Sequence, residues 1–296
     1  MKKYILKILL FCVLLAVCDM AVGFVGRYLS DHAKVGDMKQ SNHVVREVDA
    51  DVLLMGSSRC AHHYDPQIIG EALGTSCYNI GFDGNGIFLM YGRYKLMSER
   101  YTPKMIIYDV QYSFDVMQND NHKYLQYLRP YYDNGSVKEI VNSVGDHENI
   151  KMLSQCYRFN NQFVRLIANN LTGTAGSNGL GYSPLDYDIK DCTAADVVDE
   201  PVVDSLKLYY MEQLIKDCQG KTKLVFCSSP RYLQEKGHET DCIAALCEKY
   251  GVPFLEHYSD TTFTTKVEYF ADNNHLNRRG ATAFSEVIAR EIATIK

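Results

Sequence analysis

Apolar positions along the chain fall into three patterns. The first is a set of short, mainly apolar runs: Asp51-Val-Leu-Leu-Met55, Cys77-Tyr-Asn-Ile80, Lys104-Met-Ile-Ile-Tyr-Asp-Val110, Lys223-Leu-Val-Phe-Cys227 and Val252-Pro-Phe-Leu255. The first run ends in Gly56-Ser57-Ser58 and the second in Gly81. Pro103 opens the third, and Ser228-Ser229-Pro230 follows the fourth. Runs of this length between turn residues predict buried strands. In the second pattern, apolar residues recur at helical spacing over 65–73, 87–100, 203–218, 238–250 and 278–293. The last of these carries Ala283, Val287, Ile288 and Ile292 behind a capping-type start at Asn277. Strands alternating with amphipathic helices predict an α/β fold, a three-layer α/β/α sandwich around a parallel five-stranded sheet.

The third pattern is the N-terminus. Ile8 to Val25 is apolar except for Asp19, with Lys2, Lys3 and Lys7 before it and Arg27 closing it. From Ile5 to Gly26 the stretch is about 22 residues, enough to cross a bilayer as one transmembrane helix. Three lysines ahead of the span and few basic residues after it predict a single-pass anchor in the cytoplasmic membrane, with the rest of the chain outside. Leu15-Ala16-Val17-Cys18 offers an alternative, a lipoprotein held through Cys18. The apolar run continues past Cys18, which favours the uncleaved anchor. Asp19 is read as snorkelling to the interface, ahead of pairing with a partner in a membrane complex. The predicted organisation is an anchor or signal segment at 1–27, a linker at 28–50, and the α/β domain at 51–296.

The stretch from Tyr112 to Pro201 breaks the strand–helix rhythm and predicts an insertion at about 112–201. Insertions after a strand lie above the carboxyl ends of the sheet, where open α/β sheets bind ligands. Its tyrosines Tyr124, Tyr127, Tyr131 and Tyr132 have two readings, stacking on sugars or forming the core of a helical hairpin. Its Gly- and Ser-rich middle, 172–182, reads as a loop.

Composition narrows the class. Lys and Arg number 31 against 36 Asp and Glu, a net −5, with 46% hydrophobic and 23% charged residues. This excludes a disordered chain, a collagen-like fibre and a polytopic membrane protein. The mild acidity argues against a nucleic-acid partner. Cys12 and Cys18 lie in the anchor; the others are Cys60, Cys77, Cys156, Cys192, Cys218, Cys227, Cys242 and Cys247. They form no CxxC pair and no zinc-type spacing, so no metal is predicted. Cys77 and Cys227 read as small buried hydrophobes. Exported placement permits disulfides without specifying their pairing.

Two motifs carry chemistry. Gly56-Ser57-Ser58-Arg59 places a serine at a strand-to-helix turn, beside free backbone N–H groups that can hold an oxyanion. Asp272-Asn273-Asn274-His275 stands just before the final helix. A serine hydroxyl needs a base, and a histidine base needs a carboxylate to orient it. Asp and His three positions apart can meet on one side of a single turn.

Together, the serine after the first strand and the Asp-x-x-His before the last helix resemble the SGNH/GDSL hydrolase superfamily, over about 51–296 apart from the insertion. The resemblance implies the flavodoxin-like fold of that superfamily. It implies Ser58 as nucleophile, His275 as base and Asp272 as its orienting carboxylate. It also implies an oxyanion hole from the backbone of Ser58 and of Gly84, within Asn79-Ile-Gly81-Phe-Asp-Gly84-Asn85. The first block reads Gly-Ser-Ser where the family has Gly-Asp-Ser, and Asp109-Val-Gln111 replaces its Gly-x-Asn-Asp block. Gln111 then stands in as a third oxyanion donor. With the anchor, these features are similar to the membrane-anchored, exported branch that includes the teichoic-acid D-alanylation protein DltD and the alginate O-acetylation proteins.

Asn85, beside the oxyanion glycine, is a substrate-contact candidate. Arg59 either contacts an anionic substrate or caps and packs. His62 and His63 read as exposed helix positions in preference to lining the site mouth. The function implied is an exported serine esterase or O-acyltransferase acting on acyl, chiefly acetyl, esters of cell-envelope or extracellular polysaccharide. It needs no cofactor, and a membrane-bound acyltransferase is its candidate partner. The alternative is a catalytically degenerate carbohydrate-binding or scaffolding subunit of an envelope-polymer assembly.

Overall fold

The structure, a computed structural model, describes residues 1–160, 162–172, 179–190, 198 and 200–295. The chain forms two compact units, one from 48–119 and 177–296, the other from 1–47 and 120–176.

The first unit holds a parallel sheet of β1 (Val52–Gly56), β2 (Cys77–Asn79), β3 (Met105–Asp109), β4 (Lys223–Ser228) and β5 (Phe254–Glu256). Its order is β2-β1-β3-β4-β5. Every residue of β1 is buried, as a sheet covered on both faces requires. Val52 and Leu54 share one face with Ile107 and Cys227, and pack with Phe284, Ile288 and Ile292 of the C-terminal helix Arg278–Thr294. The helix Pro66–Leu73 packs beside that C-terminal helix. Its ends are locally encoded: the Asp65 side chain accepts from the Gln67 N–H, Pro66 opens the first turn, and Gly74 closes it. Helices Ile87–Ser98 and Ser205–Cys218 pack on one another through Phe88 and Tyr210, ring centroids 5.7 Å apart. Asn277 caps the final helix as expected, accepting from the Gly280 N–H at 3.0 Å. Cys77 and Cys227 are buried, and the described cysteines are free. Cys192 lies outside the described residues.

The second unit redraws the expected boundaries. The N-terminal helix runs Lys2–Asp31, five residues past the expected span, and is long and apolar enough to cross a membrane. Residues 28–50, expected as a linker, carry the helix Gly36–Arg46 with Met38 and Val44 buried. The expected insertion is divided: 120–176 belongs with the N-terminal segments, while 112–119 and the described residues of 177–201 belong with the sheet. Tyr124, Tyr127 and Tyr132 are buried within the second unit, and Tyr127 and Tyr131 donate to Asp37 and Asn42 at 2.7 Å each. Tyr124, Tyr127 and Tyr132 are therefore core residues, but of a segment with the short 3-10 turns Asn121–Leu125 and Arg129–Tyr131 in place of the expected helical hairpin, and Tyr131 is half-buried. Asp19 finds partners within its own unit, which neither expected reading named. Its carboxylate accepts from the Ser154 hydroxyl and from the N–H groups of Gln155 and Cys156, all at 2.8 Å, and so caps the short helix Gln155–Arg158.

Candidate active site

The site begins where β1 ends. Gly56 has φ +148, and a Cβ there would lie 2.6 Å from the Asp109 carbonyl oxygen and 2.9 Å from Cys60 Cβ. Only glycine makes this turn. The chain then enters the short helix Ser58–His63 with Ser57 at its N-cap. As the first helical residue, Ser58 has an N–H without an intrahelical acceptor.

Backbone register brings three loops to the same height. The Phe82 N–H donates to the Gly56 carbonyl at 3.1 Å, and Gly56 pairs with Asp109. Two residues beyond Phe82, Gly56 and Asp109 stand Gly84, Ser58 and Gln111. The three groups expected around an oxyanion thus leave the sheet side by side, at the β1/β3 position where strand order reverses and open α/β sheets form their crevice. Gly84 is exposed with φ +67, in a left-handed turn that directs backbone out of the strand line. Gln111 donates its N–H to Asp115 Oδ2 at 2.8 Å, and its buried side-chain oxygen has no hydrogen-bond partner among the described residues. Asp115 is fully buried and also accepts from the Tyr108 hydroxyl; burial pushes its carboxyl up to about 6.

Ser58, His275 and Asp272 form a hydrogen-bonded chain. Ser58 Oγ lies 2.8 Å from His275 Nε2. His275 Nδ1 lies 2.9 Å from Asp272 Oδ2 and 3.0 Å from Oδ1. A tight turn holds the pair: Asp272 Oδ1 also accepts the N–H groups of Asn274 and His275, at 2.8 and 2.9 Å. Burial works against the Asp272 charge. The His275 ring and those two N–H groups outweigh it and hold the carboxyl below the usual range.

The two histidines expected to face solvent do not. All six residues of Ser58–His63 are buried, because the helix lies beneath the C-terminal helix and leaves no face for water. His62 Nε2 lies 3.2 Å from Asp83 Oδ1, next to Gly84, and its Nδ1 meets the Ser183 carbonyl. Its ring is edge-on to His275, centroids 5.3 Å apart. Burial disfavours the His62 charge, but Asp83, the Ser183 carbonyl and Asp272 overcome this and raise its pKa. His63 is fully buried. Its Nε2 accepts the Leu276 N–H at 2.9 Å, so its proton sits on Nδ1 and is donated to Ser229 Oγ at 3.0 Å. Burial, followed by the neighbouring His275 and Arg59, drives its pKa well below the ordinary value.

Of the two readings of Arg59, the geometry fits packing. Its guanidinium is 2% exposed and donates to the carbonyls of Ser229 and Val110 at 3.0 and 2.8 Å. That ties the ends of β1, β3 and β4 together and leaves no open face toward a substrate. Asn85 is buried; its amide nitrogen donates to the Asp83 carbonyl at 2.9 Å, while its oxygen has no partner among the described residues.

Behind the site runs a buried network that the sequence motifs did not announce. Asp109 accepts from the Tyr64 hydroxyl at 2.7 Å and the Ser229 N–H at 2.8 Å, with Ser229 Oγ at 3.2 Å. Through Ser229 and His63 this network reaches the Leu276 N–H, one residue beyond His275. Asn79 donates to the carbonyls of Cys60 and Tyr64 and accepts from Gly81, joining the β2 loop to the Ser58 helix. Asn79, Asp83 and Asp109 are polar residues just inside or beyond apolar runs, and that position was the available signal. No cluster of three His, Cys, Asp or Glu side chains able to hold a metal occurs among the described residues.

No protein-family model matches the chain. No curated protein matches it either. Among solved structures it is similar to a provisionally assigned platelet activating factor from Streptococcus pneumonia, at 14% identity and a TM-score of 0.42, covering 97% of this chain and 98% of that one. It is also similar to a provisionally assigned acylhydrolase from Bacteroides fragilis, at 12% identity and a TM-score of 0.37, covering 82% and 86%.

Proposed function

We propose that this protein is a serine esterase or O-acyltransferase of the SGNH type. The observation that carries the reading is the 2.8 Å contact between Ser58 Oγ and His275 Nε2, with Asp272 on the opposite ring nitrogen. Ser58 Oγ attacks the carbonyl carbon of an acyl ester while His275 Nε2 takes its proton. The N–H groups of Ser58 and Gly84, with the Gln111 amide, hold the oxyanion. His275 returns the proton to the leaving alcohol, which departs and leaves an acyl group on Ser58. Water or a sugar hydroxyl, deprotonated by His275, then attacks that acyl-enzyme and frees Ser58. Water makes the protein an esterase; a sugar hydroxyl makes it a transferase. Asp272 orients the ring and balances the imidazolium charge.

The substrate class follows from the anchor reading. A site carried on the outer face of the cytoplasmic membrane meets acylated envelope or extracellular polysaccharide, and the DltD-like and alginate-type resemblance points the same way. A membrane-bound acyltransferase would then supply the acyl group in the transferase version. The non-catalytic alternative predicts a serine out of reach of its histidine, and the 2.8 Å contact weighs against it.

Labelling of the full chain with a fluorophosphonate serine probe tests the reading. Wild type should label, and Ser58→Ala and His275→Ala should not. A folded wild type that stays unlabelled, or a Ser58→Ala variant that labels as well as wild type, would sink this mechanism.

A further inference from the structure

On the reading of the N-terminal helix as a membrane span, Asp19 fixes how deep the second unit sits. If the apolar bilayer region ended at Asp19, the helix would have only residues 5–18 to cross it, about 21 Å at 1.5 Å per residue. A bilayer core is about 30 Å thick. The apolar region therefore continues past Asp19 to the neighbourhood of Val25, about 9 Å further along the helix. The groups bonded to Asp19, Ser154 to Cys156, go with it. Three donors at 2.8 Å are what a carboxylate at that depth needs.

The helix is bound along its whole outer half. Gly23 lies against the Gln155 side chain and Gly26 against the Phe159 ring. Arg27 donates to Gln155 Oε1 at 3.0 Å, and Asn170 donates to the Leu29 carbonyl at 3.0 Å. Removal of this helix as a signal peptide would strip a partner from each of these groups.

The segment that climbs the helix exposes large apolar side chains. Ile150 is 59% exposed and Leu153 76%, directly before the Asp19-bonded residues. On the helix Phe163–Thr172, Val164, Ile167 and Leu171 are 80%, 38% and 81% exposed at i, i+3 and i+7, one face of that helix. The helix Phe163–Thr172 packs on the N-terminal helix, which itself exposes Phe24 (71%) and Tyr28 (57%). We propose that this surface is a second membrane contact, with Ile150, Leu153, Val164, Ile167 and Leu171 set among lipid acyl chains of the leaflet that the helix crosses last. The occupant is lipid because the elements that carry the patch pack on the helix read as membrane-crossing, and one end of the patch is pinned to Asp19 within the apolar depth. The insertion then holds its unit at the bilayer as an interfacial element and does not hang from a single helix.

The chain contains no tryptophan, so single-tryptophan variants report cleanly. Leu153→Trp, Val164→Trp and Leu171→Trp are compared in the full chain, reconstituted in phosphatidylcholine vesicles with and without brominated acyl chains. Tyr209→Trp, exposed on the sheet-bearing unit, is the control. Bromolipid should quench the three patch tryptophans roughly twofold or more, as expected for side chains about 5–10 Å into the boundary, and leave the control unchanged. Patch tryptophans that behave like the control and are quenched by aqueous iodide would overturn the proposal. So would blue-shifted emission that neither bromolipid nor iodide reaches, because a protein surface would then cover the patch. Added tryptophan can itself favour lipid, so Leu153→Lys is combined with Leu171→Trp as a second test. It should lower the bromolipid quenching, and unchanged quenching at Trp-substituted 171 would mean that Leu153 makes no membrane contact.

Discussion

Two acid–histidine pairs stand a ring's width apart in the sheet-bearing unit, and they differ in what the second ring nitrogen meets. In the Asp272–His275 pair, one ring nitrogen meets a carboxylate and the other meets the Ser58 hydroxyl, which can both give and take a proton. In the Asp83–His62 pair, one nitrogen meets a carboxylate and the other a backbone carbonyl. Both of those partners only accept, so the ring is fully satisfied when doubly protonated and has no hydroxyl to relay a proton to or from. His62 works as a clip that pins the loop carrying Gly84 to the helix carrying Ser58. His63 is the third case. With the Leu276 N–H on one nitrogen and Ser229 on the other, it is locked neutral and braces the turn behind His275. Residue type and proximity are shared by all three; the partner on the second nitrogen separates them.

The largest test of this contrast is kinetic. Ser58→Ala and His275→Ala should each lower acyl-ester hydrolysis on the order of 10^4- to 10^6-fold, and the double variant should lose little more, because residues acting as one unit are not additive. Asp272→Asn should cost about 10^4-fold in kcat. His62→Gln should keep most of the activity, since the clip does not touch the reacting atoms. A His62→Gln loss as deep as that of His275→Ala would reverse the roles assigned to the two pairs. Next in size is Gln111→Ala. Losing one oxyanion donor costs about 10^2- to 10^3-fold in kcat with little change in KM. A Gln111→Ala enzyme with wild-type kcat would remove Gln111 from the oxyanion hole and leave Ser58 and Gly84 to hold it.

The sheet was legible because its information is local. Each strand is a short apolar run with a turn residue at its end, and each long helix has enough turns to show its period. The Ser58–His275 contact spans 217 positions, yet it was legible because both residues sit at element ends that the topology brings together. The inward turn of His62 and His63 was not legible. A six-residue helix has too few turns to display a buried and an exposed face, and here neighbouring elements cover all of it. The division of the insertion was hidden for another reason. Asp19 meets its partners 135 to 137 positions away, and nothing in the local pattern around Ser154 announces a carboxylate from the N-terminal helix. Arg59 was left open between substrate and packing because its acceptors are backbone carbonyls, which carry no sequence signature.

The smallest effect gives the sharpest version of the comparison, because it predicts opposite signs. His62 and His63 share the ordinary value of 6.5, from which His62 is shifted up and His63 down. A raised folded-state pKa contributes stability that is fully present below 6.5 and lost as pH rises through the raised value. A depressed one contributes stability that is present above 6.5 and lost as pH falls toward the depressed value. Asp83 titrates below its ordinary 3.8 and stays ionised across the window. Urea unfolding midpoints of wild type, His62→Gln and His63→Gln between about pH 5 and 8 separate the two terms. The advantage of wild type over His62→Gln should shrink as pH rises, and its advantage over His63→Gln should shrink as pH falls. Parallel slopes for the two variants would mean that both rings titrate alike, and that the partner on the second nitrogen does not decide what each histidine does.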